Sequence, residues 1–124
     1  MHLIKSGVGH LIVKIYPGDD GKSHFEHLDP KEWQTDWAID PANGPINFRS
    51  RDPGYFYDLH NESRRQYVIT LSGQVDVEIG DGSILRFGPG DVIFALDLTG
   101  QGHSTRTVGD EPWVYCAIPS DKIA

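Results

Sequence analysis

From Gln66 to Ile118 short apolar runs alternate with breaks rich in Gly, Pro and Asp, and each run is too short for a stable helix. Tyr67-Val68-Ile69-Thr70-Leu71 is β-branched and aromatic and ends at Ser72-Gly73. Val75, Val77 and Ile79 then alternate with Gln74, Asp76 and Glu78, the period-two pattern of a strand with one buried face. Gly80-Asp81-Gly82 reads as a tight hairpin loop before Ile84-Leu85-Arg86-Phe87. Gly88-Pro89-Gly90-Asp91 is a second turn before Val92–Leu96, and Thr105–Val108 and Trp113–Ile118 supply two more short strands. Strands and turns at this spacing predict an all-β sandwich or barrel.

The first half carries the same signals less densely. His10–Tyr16 reads as a strand stopped by Pro17-Gly18, and Gly21–Glu26 as a turn into another. Asp29-Pro30 places a capping residue and a first-turn proline before a helical turn through Trp33 and Trp37. Residues 40–54, with Pro41, Gly44, Pro45, Pro53 and Gly54, read as a long loop or edge segment. Tyr55–Leu59 begins the next strand.

Charge narrows the function classes. Eleven basic residues against 18 acidic ones leave a net charge of −7 with no basic arm, so neither nucleic acid nor an anionic membrane is an expected partner. A single cysteine, Cys116, cannot close an internal disulfide and sits in an apolar run, where it reads as a small buried hydrophobe. No apolar run approaches the length of a membrane span and no leader-like segment follows Met1, so a cytoplasmic protein is expected. With 124 residues the expectation is one domain spanning 1–124. Gly21-Lys22-Ser23 lacks the spacing and frame of a phosphate-binding loop and reads as a surface turn.

One constellation carries chemistry. Gly54 is followed by five residues and His60, one residue and Glu62, three and Gln66, six and Gly73. On a strand His60 and Glu62 would project to one side, Gln66 would open the next strand on that face, and His103 would end a strand on the facing sheet. Two His and one carboxylate have the composition of a facial triad for Fe(II) or a similar ion, with Gln66 a weak neutral fourth ligand. The bland reading stands beside it: Glu62 lies in a solvated turn paired with Arg64 or Arg65, and His60 is a hydrogen-bonded structural residue. Glu62 separates the two. Turned inward with His60 it supports chemistry, and turned to solvent it supports a plain binding module.

The spacing from Gly54 to Gly73 resembles the first motif of the cupin superfamily, with Glu62 in place of a second His and Gln66 in place of Glu. A looser second motif spans 90–107. Gly90-Asp91-Val92 opens it, Leu96-Asp97-Leu98 replaces the usual Pro-x-Gly, Gln101 occupies the usual His position, and His103 follows two residues late. Either Gln101 or His103 is the second-motif residue, and imidazole is the stronger ligand and base. The resemblance implies a cupin-type antiparallel β-barrel or jelly roll (a double-stranded β-helix) with N-terminal strands extending a sheet, and a homodimer formed through them.

For function it implies a small-molecule site in the barrel mouth, with a metal set of His60, Glu62, Gln66 and His103 for Fe, Mn, Ni or Zn. A metal-free pocket is the equal alternative, in which His60, Glu62 and His103 move protons or only bind. The reactions implied are those of an isomerase, lyase or oxygenase on a small organic acid. Arg64 shares the parity of Glu62 and Gln66 and is the candidate for gripping a substrate carboxylate. Tyr55 and Tyr57 are candidate pocket walls. Asp97, set between two leucines, needs a partner: either the amides of the Thr99–Gly102 turn that presents His103, or a ligand.

Overall fold

The computed structural model of the protein describes residues 2–4, 11–29 and 44–121. Among them the strands are β1 (His2–Ile4), β2 (Ile12–Pro17), β3 (Ser23–His27), β4 (Asn47–Arg51), β5 (Phe56–His60), β6 (Gln66–Ser72), β7 (Gln74–Glu78), β8 (Ser83–Phe87), β9 (Val92–Ala95), β10 (His103–Val108) and β11 (Trp113–Pro119). They form a five-stranded sheet in the order β1-β8-β7-β10-β5 and a six-stranded sheet in the order β3-β2-β9-β6-β11-β4. The described residues contain no helix, and so none long and apolar enough to cross a membrane. The helical turn expected through Trp33 and Trp37 lies outside the described residues.

The period-two pattern explains the packing. Val75 and Val77 of β7 and Val13 and Ile15 of β2 are fully buried, and they meet Leu85, Phe87, Ile93 and Trp113 in one core fed by both sheets. Each such side chain contributes about 1.5–3 kcal/mol when taken out of water. Tyr67 and Phe94, the alternate residues of the six-stranded sheet, make a second cluster on its opposite face with Leu96 just beyond β9, and the Tyr67 and Phe94 rings lie edge to face at 4.8 Å. Phe94 therefore does not fill the space between the sheets.

The N-terminal strands extend both sheets. β2 and β3 form a hairpin on the six-stranded sheet, and β1 adds to the edge of the five-stranded one. They join in parallel, β1 with β8 and β2 with β9, while the other pairings are antiparallel. Asp91 fixes one of these joins. Its Oδ1 accepts the Leu11 amide 80 residues away and its Oδ2 accepts the Gly88 amide, both at 2.7 Å, so the Gly90-Asp91 pair ties a turn to the start of β2. Within the segment expected as loop or edge, β4 is an edge strand against β11. It faces the cavity described next.

Candidate functional site

Two backbone clasps bring the site together. Gly102 has a φ of 75°, and a side chain there would collide with the His60 carbonyl, so the approach to β10 passes directly against the end of β5. His103 consequently pairs with His60 in the five-stranded sheet, and their rings lie 4.6 Å apart. The second clasp is the Glu62 amide donating to the Asp97 carbonyl at 3.1 Å. Glu62 lies in the connection after β5, so this bond, and not strand alternation, aims its carboxylate beside His60. His103 opens a strand on the same sheet as His60, and Gln66 is the residue supplied by the facing sheet, the reverse of the sequence expectation.

Donor atoms of His60, Glu62 and His103 lie within 4.8 Å of one another. Each is held from behind. His60 Nδ1 donates to the Asp58 carbonyl at 2.8 Å, leaving Nε2 as the acceptor, and the ring stacks on Tyr57 at 3.8 Å. Gln66 Nε2 donates to Glu62 Oε2 at 2.8 Å. His103 Nδ1 donates to Asp97 Oδ2 at 2.6 Å, and the same oxygen accepts the Ser23 hydroxyl at 2.6 Å. The remaining His103 nitrogen, Nε2, lies 3.3 Å from Glu62 Oε1. Glu62 is thus turned inward.

Electrostatics follow from this geometry. Burial pushes His60 below its ordinary pKa, and neighbouring His103 adds to the effect against the Asp58 carbonyl and the nearby carboxylates. Burial pulls His103 in the same direction, but its bonds to Asp97 and Glu62 outweigh it and hold the group up at about 9. Asp97 is 0 % exposed and His103 3 %. Asp97 Oδ1 has no hydrogen-bond partner, so the carboxylate serves His103 and Ser23, not the Thr99–Gly102 amides expected from sequence.

His60 and Glu62 line a cavity of about 260 Å³ between the sheets. Tyr55, Tyr57 and Arg64 line it, and so do Arg49 and Arg51 of β4. Sequence reading missed the last two. Their signal was the alternation Asn47-x-Arg49-x-Arg51, which places all three on one face of β4. Asp97 and His103 stand behind the cavity wall, and Gln101 is exposed with its side-chain oxygen over Gly80. Of the two second-motif candidates, His103 is the one beside His60.

No family model and no curated protein matches the sequence. A solved structure does: a Cupin 2 conserved barrel domain protein from Salinispora arenicola CNS-205 is similar at 21 % identity over 72 % of this chain and 72 % of its own, with a TM-score of 0.51. The chain has the cupin fold. A further likeness, at 14 % identity over 89 % of this chain and 83 % of the other, is to an rmlc-like cupin protein from Desulfovibrio desulfuricans, with a TM-score of 0.43. The cupin fold hosts many chemistries, so function rests on the site.

The donor set suits an ion of the transition series. Two imidazoles and a carboxylate, each oriented by an outer hydrogen bond, match the ligand chemistry of Fe, Mn, Ni or Zn better than the all-oxygen preference of Ca or Mg.

Proposed function

We propose that this chain holds a divalent transition metal through His60, Glu62 and His103 and acts on a small oxygenated metabolite taken into the adjoining cavity. The observation that carries the reading is the outer bonding of the donors: the Asp58 carbonyl, Gln66 and Asp97 each fix one of the three. Such outer partners set tautomer and aim, and they raise ligand basicity. Gln66 serves as a positioning residue for Glu62, with its amide oxygen left over as a weak further donor. A bound ion would polarise a substrate oxygen or acidify a bound water. The chain's own share is to orient the metabolite against the Tyr55 and Tyr57 walls, beside the three ligands. Isomerase, lyase and oxygenase reactions all fit that arrangement.

A second reading has its own observation. Without metal, both His103 nitrogens meet carboxylates, and an imidazolium satisfies that pair of bonds. The same residues then form a metal-free binding or proton-transfer pocket. A cytoplasmic location accords with the free, buried Cys116. A homodimer through the N-terminal strands belongs to the same proposal, supported by the edge positions of β1 and β3.

Elemental analysis of untagged protein purified without chelator tests the metal reading. Near-stoichiometric Fe, Mn, Ni or Zn is expected in the wild type. At least a roughly hundred-fold loss of affinity is expected in His60→Ala and Glu62→Ala, more than outer-partner changes typically cost. Full occupancy in either variant would sink the ligand assignment, and metal-free wild type would leave the second reading.

A further inference from the structure

We infer that the arginines lining this cavity, Arg49, Arg51 and Arg64, form a guanidinium clamp for an oxyanion, and that the metabolite is a small acid whose anionic group they hold. The inference deepens the reading above and rests on it only for which end of the ligand reacts.

Three of the chain's six arginines face one cavity in a chain of net charge −7. They come from separate elements, Arg49 and Arg51 from edge strand β4 and Arg64 from the connection before β6, so helical or strand periodicity alone does not gather them. Among the described residues none of the three has a carboxylate partner within ion-pair distance, whereas Arg86 is paired bidentately with Asp76 at 2.8 and 3.0 Å. Arg49 and Arg51 both act on the Tyr115 hydroxyl, so these two like charges lie near one another, and an anion held between them relieves their repulsion. The forks are also held in place. Arg51 lies over the Tyr55 ring at 5.2 Å and beside the Tyr115 hydroxyl, and the Arg64 guanidinium packs where a side chain on Gly44 would stand. Planar guanidinium forks suit carboxylate and phosphate oxygens in two-point contact.

Size sets the ligand class. A cavity of about 260 Å³ has the volume of roughly nine waters, which suits a short-chain or single-ring acid. The anion end lies on β4 and the oxygen functions of the same molecule reach His60 and Glu62.

The test uses full-length protein stripped with chelator, so that the clamp is read without metal. Calorimetric titrations with malonate, succinate and inorganic phosphate are compared with neutral malonamide. Saturable binding of a carboxylate or of phosphate is expected, with none of malonamide, and whichever anion binds tighter names the source of the oxyanion. Arg51→Ala and Arg64→Ala should each weaken it about ten-fold, Arg49→Ala by less, since Arg49 is the most exposed of the three. Arg106→Ala, which removes an equal charge on the exposed outer side above Phe56, should change nothing. Should an alanine variant lose its native circular dichroism, the lysine variant at that position keeps the charge without the fork and is expected to bind more weakly than wild type. The clamp is overturned if no anion binds, if malonamide binds equally, or if Arg106→Ala weakens binding as much as the wall variants. Failure of the metal analysis alone leaves it standing.

Discussion

At the inner end of the site His103 is 3 % exposed and both its nitrogens meet carboxylates, while at the mouth Tyr57 is 51 % exposed and Arg49 stands toward solvent. The inner end is built like a core: a polar group is admitted only with partners already in place. At the mouth polar groups face solvent, and under the proposed clamp these are the groups that would meet a ligand. The difference predicts that stability rests on the buried groups behind the cavity wall and the proposed recognition on the groups that line it. The buried groups should answer mainly in unfolding experiments, and the lining groups mainly in binding.

The sharpest way to break that division is Asp97→Ala. Removing a fully buried carboxylate leaves the buried His103 Nδ1 without its partner and strands the Ser23 hydroxyl, so urea unfolding should show a loss of about 3–5 kcal/mol. A loss below about 1 kcal/mol would make the buried groups no more structural than the mouth. A smaller effect comes from pH. The His103 folded-state pKa of about 9 lies above the 6.5 of the free group, so its stabilisation is fully present below the unfolded value and is lost as pH rises through the folded one. In chelator-treated protein the urea midpoint should therefore fall as pH rises through that window, and fall less in Glu62→Gln, where one carboxylate is gone. A midpoint independent of pH would mean His103 is held neutral. The smallest effect is expected for Gln101→Ala, which changes an exposed side chain outside the cavity. Stability should stay within about 0.5 kcal/mol, with metal content and anion binding unchanged. Any loss of metal there would return Gln101 to the site.

Much of the fold was legible because one-face burial writes itself into sequence. Val75, Val77 and Leu85 alternate or cluster as a sheet facing a core must, and Gly80-Asp81-Gly82 marks the reversal between them. The parallel joins of β1 and β2 were not legible, since register between distant strands is settled by tertiary partners such as Asp91 with Leu11. His60, Glu62, Gln66 and His103 were legible from spacing, yet the reason they converge was not. It lies in the close approach at Gly102 and in the Glu62 amide, two backbone contacts without a periodic signature. Arg49 and Arg51 were hidden by the prolines and glycines around them, which outweighed a three-step alternation.

The bond between Ser23 and Asp97 spans 74 residues, and Asp97 in turn holds His103. Its consequence is one of timing. Contacts between distant residues form only after the loss of chain freedom on closing the intervening loop has been met, which makes them late events in folding. The segment 54–108 holds all four metal-ligand candidates but not the hydroxyl that completes the support of His103. Under the proposed metal reading, ion capture during refolding should lag behind strand formation and appear only when the β2–β3 hairpin docks, so that chelation would serve as a clock for the last step of assembly.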